Sequence, residues 1–238
     1  MGARFLNMKL SKTEAKNQKL FASQRQRMVR RQLKARGIRD KALLQAMKEV
    51  PRELFVPESL REFSYDDGPL PIGEAQTISQ PYVVALMIEA AGLTPQSRVL
   101  EIGAGSGYCV AIMSRLAESV YAVERNAALA GELPSRLAAL ECRNIKIQTG
   151  DGSAGWPEHA PYDAIIVSAV APQIADCLSQ QLKVGGRLVI PVSGGPDDQR
   201  LVRVTRKDEG DFSEEELGSV QFVPLIGEEA FPPSAQPG

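Results

Sequence analysis

Three glycines and three acids are the residues here whose types and spacing suit chemistry. Gly103, Gly105 and Gly107 alternate in "LEIGAGSGYCVA", residues 100–111, between an apolar run and a helical pattern. Glycine permits a sharp turn and lets a ligand lie against backbone. A dinucleotide fingerprint needs G-x-G-x-x-G, and its third glycine would fall on Tyr108. A bulky residue there opposes close approach of a pyrophosphate. No Gly-Lys-Ser/Thr follows, so the turn is not a P-loop. Glu101 stands two residues before the first glycine, Glu124 ends "VYAVE", and Asp151 sits in "GDG" with Gly152 after it. An acid at the end of a second strand can accept both ribose hydroxyls. Asp151 can accept from an adenine amino group. Three acids without a phosphate-binding cation point to an adenosine that lacks phosphates and carries positive charge. S-adenosylmethionine fits, and no metal is expected. Singly the signals are weak: Glu124 is an ordinary strand-end residue, and Asp151 between glycines is a turn former. Together they fall at the ends of consecutive strands, the edge where open α/β sheets bind ligands.

The elements that must position these residues are legible as a change of rhythm. After Arg98, short β-rich runs (99–102, 120–123, 145–149, 164–168 and 187–192) alternate with helical stretches (108–117, 127–140 and 174–182). Continuous apolar runs such as "AIIV" suit buried parallel strands. The alternation predicts an α/β fold, a doubly wound and mostly parallel sheet. "RLVRVTRKDEGDFSEEELGSVQFVPL" predicts an antiparallel edge hairpin near the C-terminus. Ahead of the sheet, helices are expected from Ser23 to Gly37, from an Asp40 cap to Pro51, and from Tyr82 to about Ala91. The Pro- and Gly-rich stretch between Val50 and Tyr82 reads as loop. The organisation expected is a basic, loosely ordered arm (1–22), N-terminal helices with a cleft loop (23–97), a core (98–227) forming one domain with them, and an acidic, Pro-rich tail (228–238).

Composition narrows the function classes. The chain has 238 residues, 43% of them hydrophobic, and a formal net charge of −1, so it is not a bulk electrostatic binder of nucleic acid. Its ends are asymmetric, with nine Lys and Arg and one acid in residues 1–31 and no cation after Lys207. These are read as solvated faces, with contact between the two ends, or an acidic partner for the basic arm, as the alternative. Cys109, Cys142 and Cys177 are too far apart for a CxxC motif, and with the single His159 they make no zinc set. The first residues lack an apolar h-region of signal-peptide length, and no 18-residue apolar stretch occurs in this sequence. A soluble, cytoplasmic protein with no membrane partner is expected, acting as a monomer.

Five segments, "VPRELFVP", "PLPIGEAQTISQPYVVALM", "VLEIGAGSGY", "YDAIIVSAVAP" and "LKVGGRLVIPV", resemble the protein-L-isoaspartate O-methyltransferase family from about Met28 to Gly227. "QTISQP" is the specific part. Ala75 stands where bacterial members commonly carry Gly, and Cys109 where many carry Gln. The resemblance implies methyl transfer from S-adenosylmethionine to the free α-carboxylate of L-isoaspartyl residues in damaged proteins and peptides. The ester then recloses to a succinimide, whose hydrolysis returns some normal Asp. A carboxylate with pKa of about 3.5–4 is already ionised at pH 7, so no general base is required. Through "TIS" the family's active-site residue aligns with Ser79, whose hydroxyl would orient the carboxylate. Thr77 and the backbone around Ile78 would shape the same cleft, and Ser168 is a further candidate contact. The alternative for Ser79 is capping of the next helix. His159 is read as a surface residue without a catalytic role. Two other functions stay open: a methyltransferase of another carboxylate or small molecule, and a non-catalytic module that binds cofactor or damaged protein.

Overall fold

The computed structural model describes residues 12–195 and 198–232. In chain order the elements are α1 (Lys12–Met28), α2 (Lys41–Glu49), β1 (Leu70–Gly73), β2 (Gln76–Ile78), α3 (Pro81–Ala91), β3 (Arg98–Ile102) and α4 (Tyr108–Met113). There follow β4 (Ser119–Glu124), α5 (Ala127–Ala139), β5 (Ile145–Thr149), β6 (Tyr162–Val167), α6 (Asp176–Gln180), β7 (Leu182–Gly195), β8 (Asp198–Asp208) and β9 (Asp211–Ser219). The main sheet runs β5-β4-β3-β6-β7-β8-β9. Pairs from β5 to β7 are parallel, and β8 and β9 add antiparallel to the edge.

The central strands β3, β4 and β6 are mostly apolar because both of their faces are covered. Val99, Val120, Ala122 and Ile166 point into one cluster, with Val84, Val110 and Leu133 from the helices. Leu100, Ile102, Val123 and Ile165 point into the other, with Leu178 and Leu225. This is the period-2 alternation of a strand, with both phases buried. Each fully buried Val, Leu or Ile contributes about 1.5–3 kcal/mol. The first cluster also takes in Met28, Leu33, Leu43 and Met47, so the N-terminal helices share the sheet's core.

Local chemistry sets the ends of these helices. Asp40 caps α2 by accepting the Leu43 N–H at 2.8 Å. Gly37 ends the preceding helical run in the left-handed region, at φ +99°. "VPRELFVP" acts through Arg52. Its side chain is fully buried, Nε donates to the Ser64 carbonyl at 2.8 Å, and the guanidinium lies 5.0 Å from the Tyr108 ring centroid. Burial lowers its pKa to about 10. It thus ties the N-terminal loops to the first residue of α4.

Several expectations need correction. Residues 12–22, expected to be loosely ordered, belong to α1. The segment "KTEAKNQKLFA" has good helix formers and extends a helix whose packed end, at Met28 and Val29, is buried. The rest of the proposed arm, residues 1–11, lies outside the described residues. The expected loop before α3 contains the β1–β2 hairpin, with Leu70 opposite Ile78. Its turn passes through Glu74 and Ala75, both at φ +53°. Helix α4 stops at Met113, short of the expected Ala117, because Ser114 turns its hydroxyl back to the Ala111 carbonyl at 2.8 Å. Helix α6 ends at Gln180, and Leu182 instead begins β7 opposite Tyr162. The acidic β9 pairs with its own neighbour, through Arg200–Glu216 and Arg203–Glu215. No ion pair joins the two ends of the chain among the described residues.

Gly107 caps α4 at φ +86°, and a Cβ there would lie 2.8 Å from Leu133 Cδ2. Gly107→Ala should therefore cost about 1–2 kcal/mol from the backbone alone, with crowding in addition. Urea unfolding checks this, with the midpoint falling and the slope unchanged.

Candidate cofactor and acceptor site

The site is built at the carboxyl edge of β3, β4, β5 and β6. Glu124, the last residue of β4, organises it. One carboxylate oxygen accepts the Gly105 N–H at 2.7 Å and the other the Asn126 N–H at 2.8 Å. The turn after β3 is thereby joined to the turn after β4. Asn126 caps α5 with its own side chain, accepting the N–H groups of Ala128 and Leu129. Gly103, at φ +82°, donates its N–H to the Val123 carbonyl at 2.9 Å, and Gly105 sits at φ +52°. Gly152 lets the turn after β5 pack closely, since a Cβ there would lie 2.9 Å from Ile102 Cγ2.

A cavity of about 400 Å³ opens beside these turns. Gly103, Gly105, Glu124, Gly150 and Gly152 line its floor. Glu74, Gln76 and Thr77 of the hairpin line another side, and Glu74 accepts the Asn126 side-chain N–H at 3.2 Å. Val223, Pro224, Leu225 and Ile226 close it from the C-terminal strap. The strap is joined to the segment after β6 by two bonds, the Val170 N–H to Val223 O at 2.9 Å and the Leu225 N–H to Val170 O at 2.8 Å.

Sequence reasoning places most of its candidates here. The Glu124 carboxylate lines the cavity with both oxygens already holding backbone, and each oxygen keeps a further lone pair. Asp151 is placed differently from the expectation. Gly150 and Gly152 line the cavity, but Asp151 turns outward, accepting the Ser153 N–H and the Glu228 N–H, each at 2.8 Å. Burial raises its carboxyl pKa, yet these backbone donors outweigh it and hold the pKa below the ordinary value. Asp151 is therefore a latch for the strap, reinforced by the Glu229 N–H to Ser153 Oγ at 3.1 Å. Glu101 is buried behind the glycine turn and accepts the Ser168 hydroxyl at 2.8 Å.

Ser79 lies on the opposite wall. Gln80, not Ser79, occupies the N-cap of α3, and it makes no side-chain cap. Among the described residues, Ser79 makes no side-chain hydrogen bond, so its hydroxyl is not committed to capping. A groove of about 710 Å³ runs past it, between the hairpin and the strap. Thr77 and Ser168 line both this groove and the larger cavity. Ser79 and Ser168 face the groove together with Gln80, Gln221 and Phe222, and the groove carries no charged lining residue among those described. Ile78 is buried beneath, 3% exposed. His159 lies elsewhere. Its ring packs 4.5 Å from Tyr121, and its carbonyl accepts from Arg98 at the opposite end of β3.

The strap and Asn126 escaped the sequence reading. Asn126 shows a cap signature that could have flagged it, directly after Glu124. The strap offers only "QFVPLIG", an apolar run whose return across the sheet has no local signal. Among the described residues no cluster of metal-binding side chains occurs, and no helix is long and apolar enough to cross a membrane.

Fold and site together define a Rossmann-like methyltransferase fold. A family model for protein-L-isoaspartate(D-aspartate) O-methyltransferase matches residues 23–230. The protein-L-isoaspartate O-methyltransferase 1 of Rhodopseudomonas palustris (strain HaA2) is 54% identical over 211 residues, 89% of this chain and 86% of that protein. The enzyme of the same name from Geotalea uraniireducens is 56% identical over 209 residues, 88% and 95% of the two chains. A solved protein-L-isoaspartate O-methyltransferase superposes with TM-score 0.76 at 29% identity, covering 86% of this chain and 67% of that one. A putative family member from Plasmodium falciparum, in complex with S-adenosyl-L-homocysteine, gives TM-score 0.73 at 27% identity over 85% and 98% of the chains. The chain belongs to the protein-L-isoaspartate(D-aspartate) O-methyltransferase family.

Asp151→Ala should release the strap without unfolding the sheet. Hydrogen exchange at the Glu228 and Glu229 amides is expected to accelerate at least tenfold while β3 and β6 stay protected. Because the Asp151 pKa is lowered, the wild-type latch holds through mildly acidic pH. It is lost only as pH falls through the depressed value.

Proposed function

We propose that this chain transfers a methyl group from S-adenosylmethionine to the α-carboxylate of L-isoaspartyl residues in proteins and peptides, and so starts their repair. The observation that carries the reading is the junction at Thr77 and Ser168, where an adenosine-sized cavity meets an open groove beside the free hydroxyl of Ser79. The adenosine half fits the cavity. Glu124 and the turns of Gly103, Gly105 and Gly152 would hold it, with a second lone pair on each Glu124 oxygen turned to the ribose. When bound, the cofactor supplies a methyl group already activated on a sulfonium.

The chain's own task is then alignment. The acceptor carboxylate is ionised at pH 7 and needs no base. The Ser79 hydroxyl donates to one of its oxygens and leaves the other toward the cavity, with Thr77 and Ser168 fixing the approach. Placing two reactants in line accounts for roughly 7–11 kcal/mol of barrier in favourable cases, so a site without a general acid or base is sufficient. The groove's lining places no competing cation beside the carboxylate among the described residues. We further propose a monomer in the cytoplasm that acts without nucleic acid or membrane. The three free cysteines suit a reducing compartment.

The test is methyl transfer from labelled S-adenosylmethionine to matched peptides. Base-labile label is expected on the isoaspartyl peptide and not on its aspartyl twin; label on both or on neither overturns the assignment. Ser79→Ala should lower kcat by about 10²-fold, the scale of one lost transition-state donor, with cofactor affinity within threefold of wild type. Unchanged turnover in that variant would remove Ser79 from the mechanism.

A further inference from the structure

An ordinary aspartyl side chain ends in a carboxylate carried by a methylene. In an isoaspartyl residue the free carboxylate and the amide N–H are carried by the same carbon. A site that holds the carboxylate with a donor, and offers an acceptor immediately beside it, therefore reads the isomer. The chain places such a pair in consecutive positions. Ser79 and Gln80 both line the acceptor groove. Ser79 brings an uncommitted hydroxyl. Gln80 brings a carboxamide whose orientation is fixed from behind. Its Nε2 donates to the Asp67 carbonyl at 3.2 Å and to Asp67 Oδ1 at 2.7 Å. Both of these atoms are acceptors only, so the nitrogen must face them. Two partners take its two N–H groups. Oε1, which accepts from no group among the described residues, is left free.

Asp67 is itself held in place. Arg36 Nη1 donates to its two carboxylate oxygens at 3.1 and 3.4 Å, and the Arg36 guanidinium lies 3.6 Å from the centroid of the Tyr82 ring. Tyr82 stands two residues after Gln80 in α3, so the run of contacts closes on the helix that Gln80 begins. An exposed ion pair adds little stability by itself. Stacked on an aromatic face, this one fixes a direction.

We propose that Gln80 is a specificity-determining residue: its Oε1 accepts the N–H of the same isoaspartyl residue whose carboxylate Ser79 holds, and Asp67 is its positioning residue. The proposal rests on the isoaspartyl reading of the groove. An ordinary aspartyl carboxylate seated on Ser79 carries its amide N–H one bond further off and leaves Oε1 without that donor. The pairing touches no client side chain, so it works in any flanking sequence. It is also separate from cofactor binding, because Gln80 lines the groove and not the adenosine-sized cavity.

A double-mutant cycle between enzyme and peptide tests the contact. One substrate is the isoaspartyl peptide. The other is its depsi twin, in which that single amide N–H is replaced by an ester oxygen. Wild type should use the twin with kcat/KM about fivefold lower, the scale of one net hydrogen bond, and mainly through KM. Gln80→Ala should lose about the same factor on the isoaspartyl peptide and treat the two peptides alike, with S-adenosylmethionine affinity within about threefold of wild type. Asp67→Ala should lose about threefold, the scale of an exposed polar contact. Asp67→Asn keeps an oxygen for Gln80 Nε2 and should recover that loss. Equal use of the two peptides by wild type, penalties of Gln80→Ala and of the ester that simply add, or an Asp67→Asn no better than Asp67→Ala overturns the proposal and leaves the proposed function standing. No methylation of the isoaspartyl peptide by wild type overturns both.

Discussion

The hold of the Glu124 carboxylate on two backbone N–H groups is the constraint on which the site depends. Gly105 and Asn126 lie in turns after different strands, and one side chain fixes the distance between them. Together with the Gly103 N–H bond to the Val123 carbonyl, it ties the glycine turn laterally to β4. Charge-assisted bonds of this kind are roughly twice as strong as neutral ones, and this side chain is only 7% exposed, so water competes weakly. The glycines permit the turn, but the carboxylate chooses its conformation.

Around that junction the fold assembles walls from distant parts of the chain. The hairpin comes from before the sheet, and the strap from after it. Thr77 of the one and Pro224 of the other line both the cavity and the groove. Both walls are tied back to the sheet's carboxyl edge. Glu74 reaches Asn126, and the Glu228 N–H reaches Asp151. The two acids at the ends of β4 and β5 thus do comparable work, one on each side, by gripping backbone that belongs to a neighbouring segment.

The parallel core was legible because β3, β4 and β6 are buried on both faces and leave almost no polar phase to confuse the pattern. The Gly103–Gly107 turn and Glu124 were legible because they follow strands, where position alone assigns a place at the binding edge. Asp151 shows the limit. Its place at the edge followed from the strand before it, but its direction did not, because the backbone that captures it comes from Glu228, 77 residues on. The hairpin was hidden for a related reason. Its turn residues, Glu74 and Ala75, are poor advertisements for left-handed backbone, which glycine or asparagine would have signalled. The departure from family pattern at Ala75 thus falls on a position where the backbone is strained. Residues 12–22 were misread because they lack an apolar stripe, and a polar helix can grow from a neighbouring packed turn without one.

The neutrality of the groove beside Ser79 has a consequence for breadth. Isomerised residues arise wherever the backbone is loose enough to cyclise, beside charged and uncharged neighbours alike. An enzyme that recognised flanking charge would leave part of that damage untouched. A channel walled by Thr77, Gln80, Gln221 and Phe222 imposes no such sorting. What it can sense is the extra methylene in the main chain and the carboxylate displaced by it. Conformational looseness of the client, rather than its local sequence, then decides what the proposed enzyme reaches.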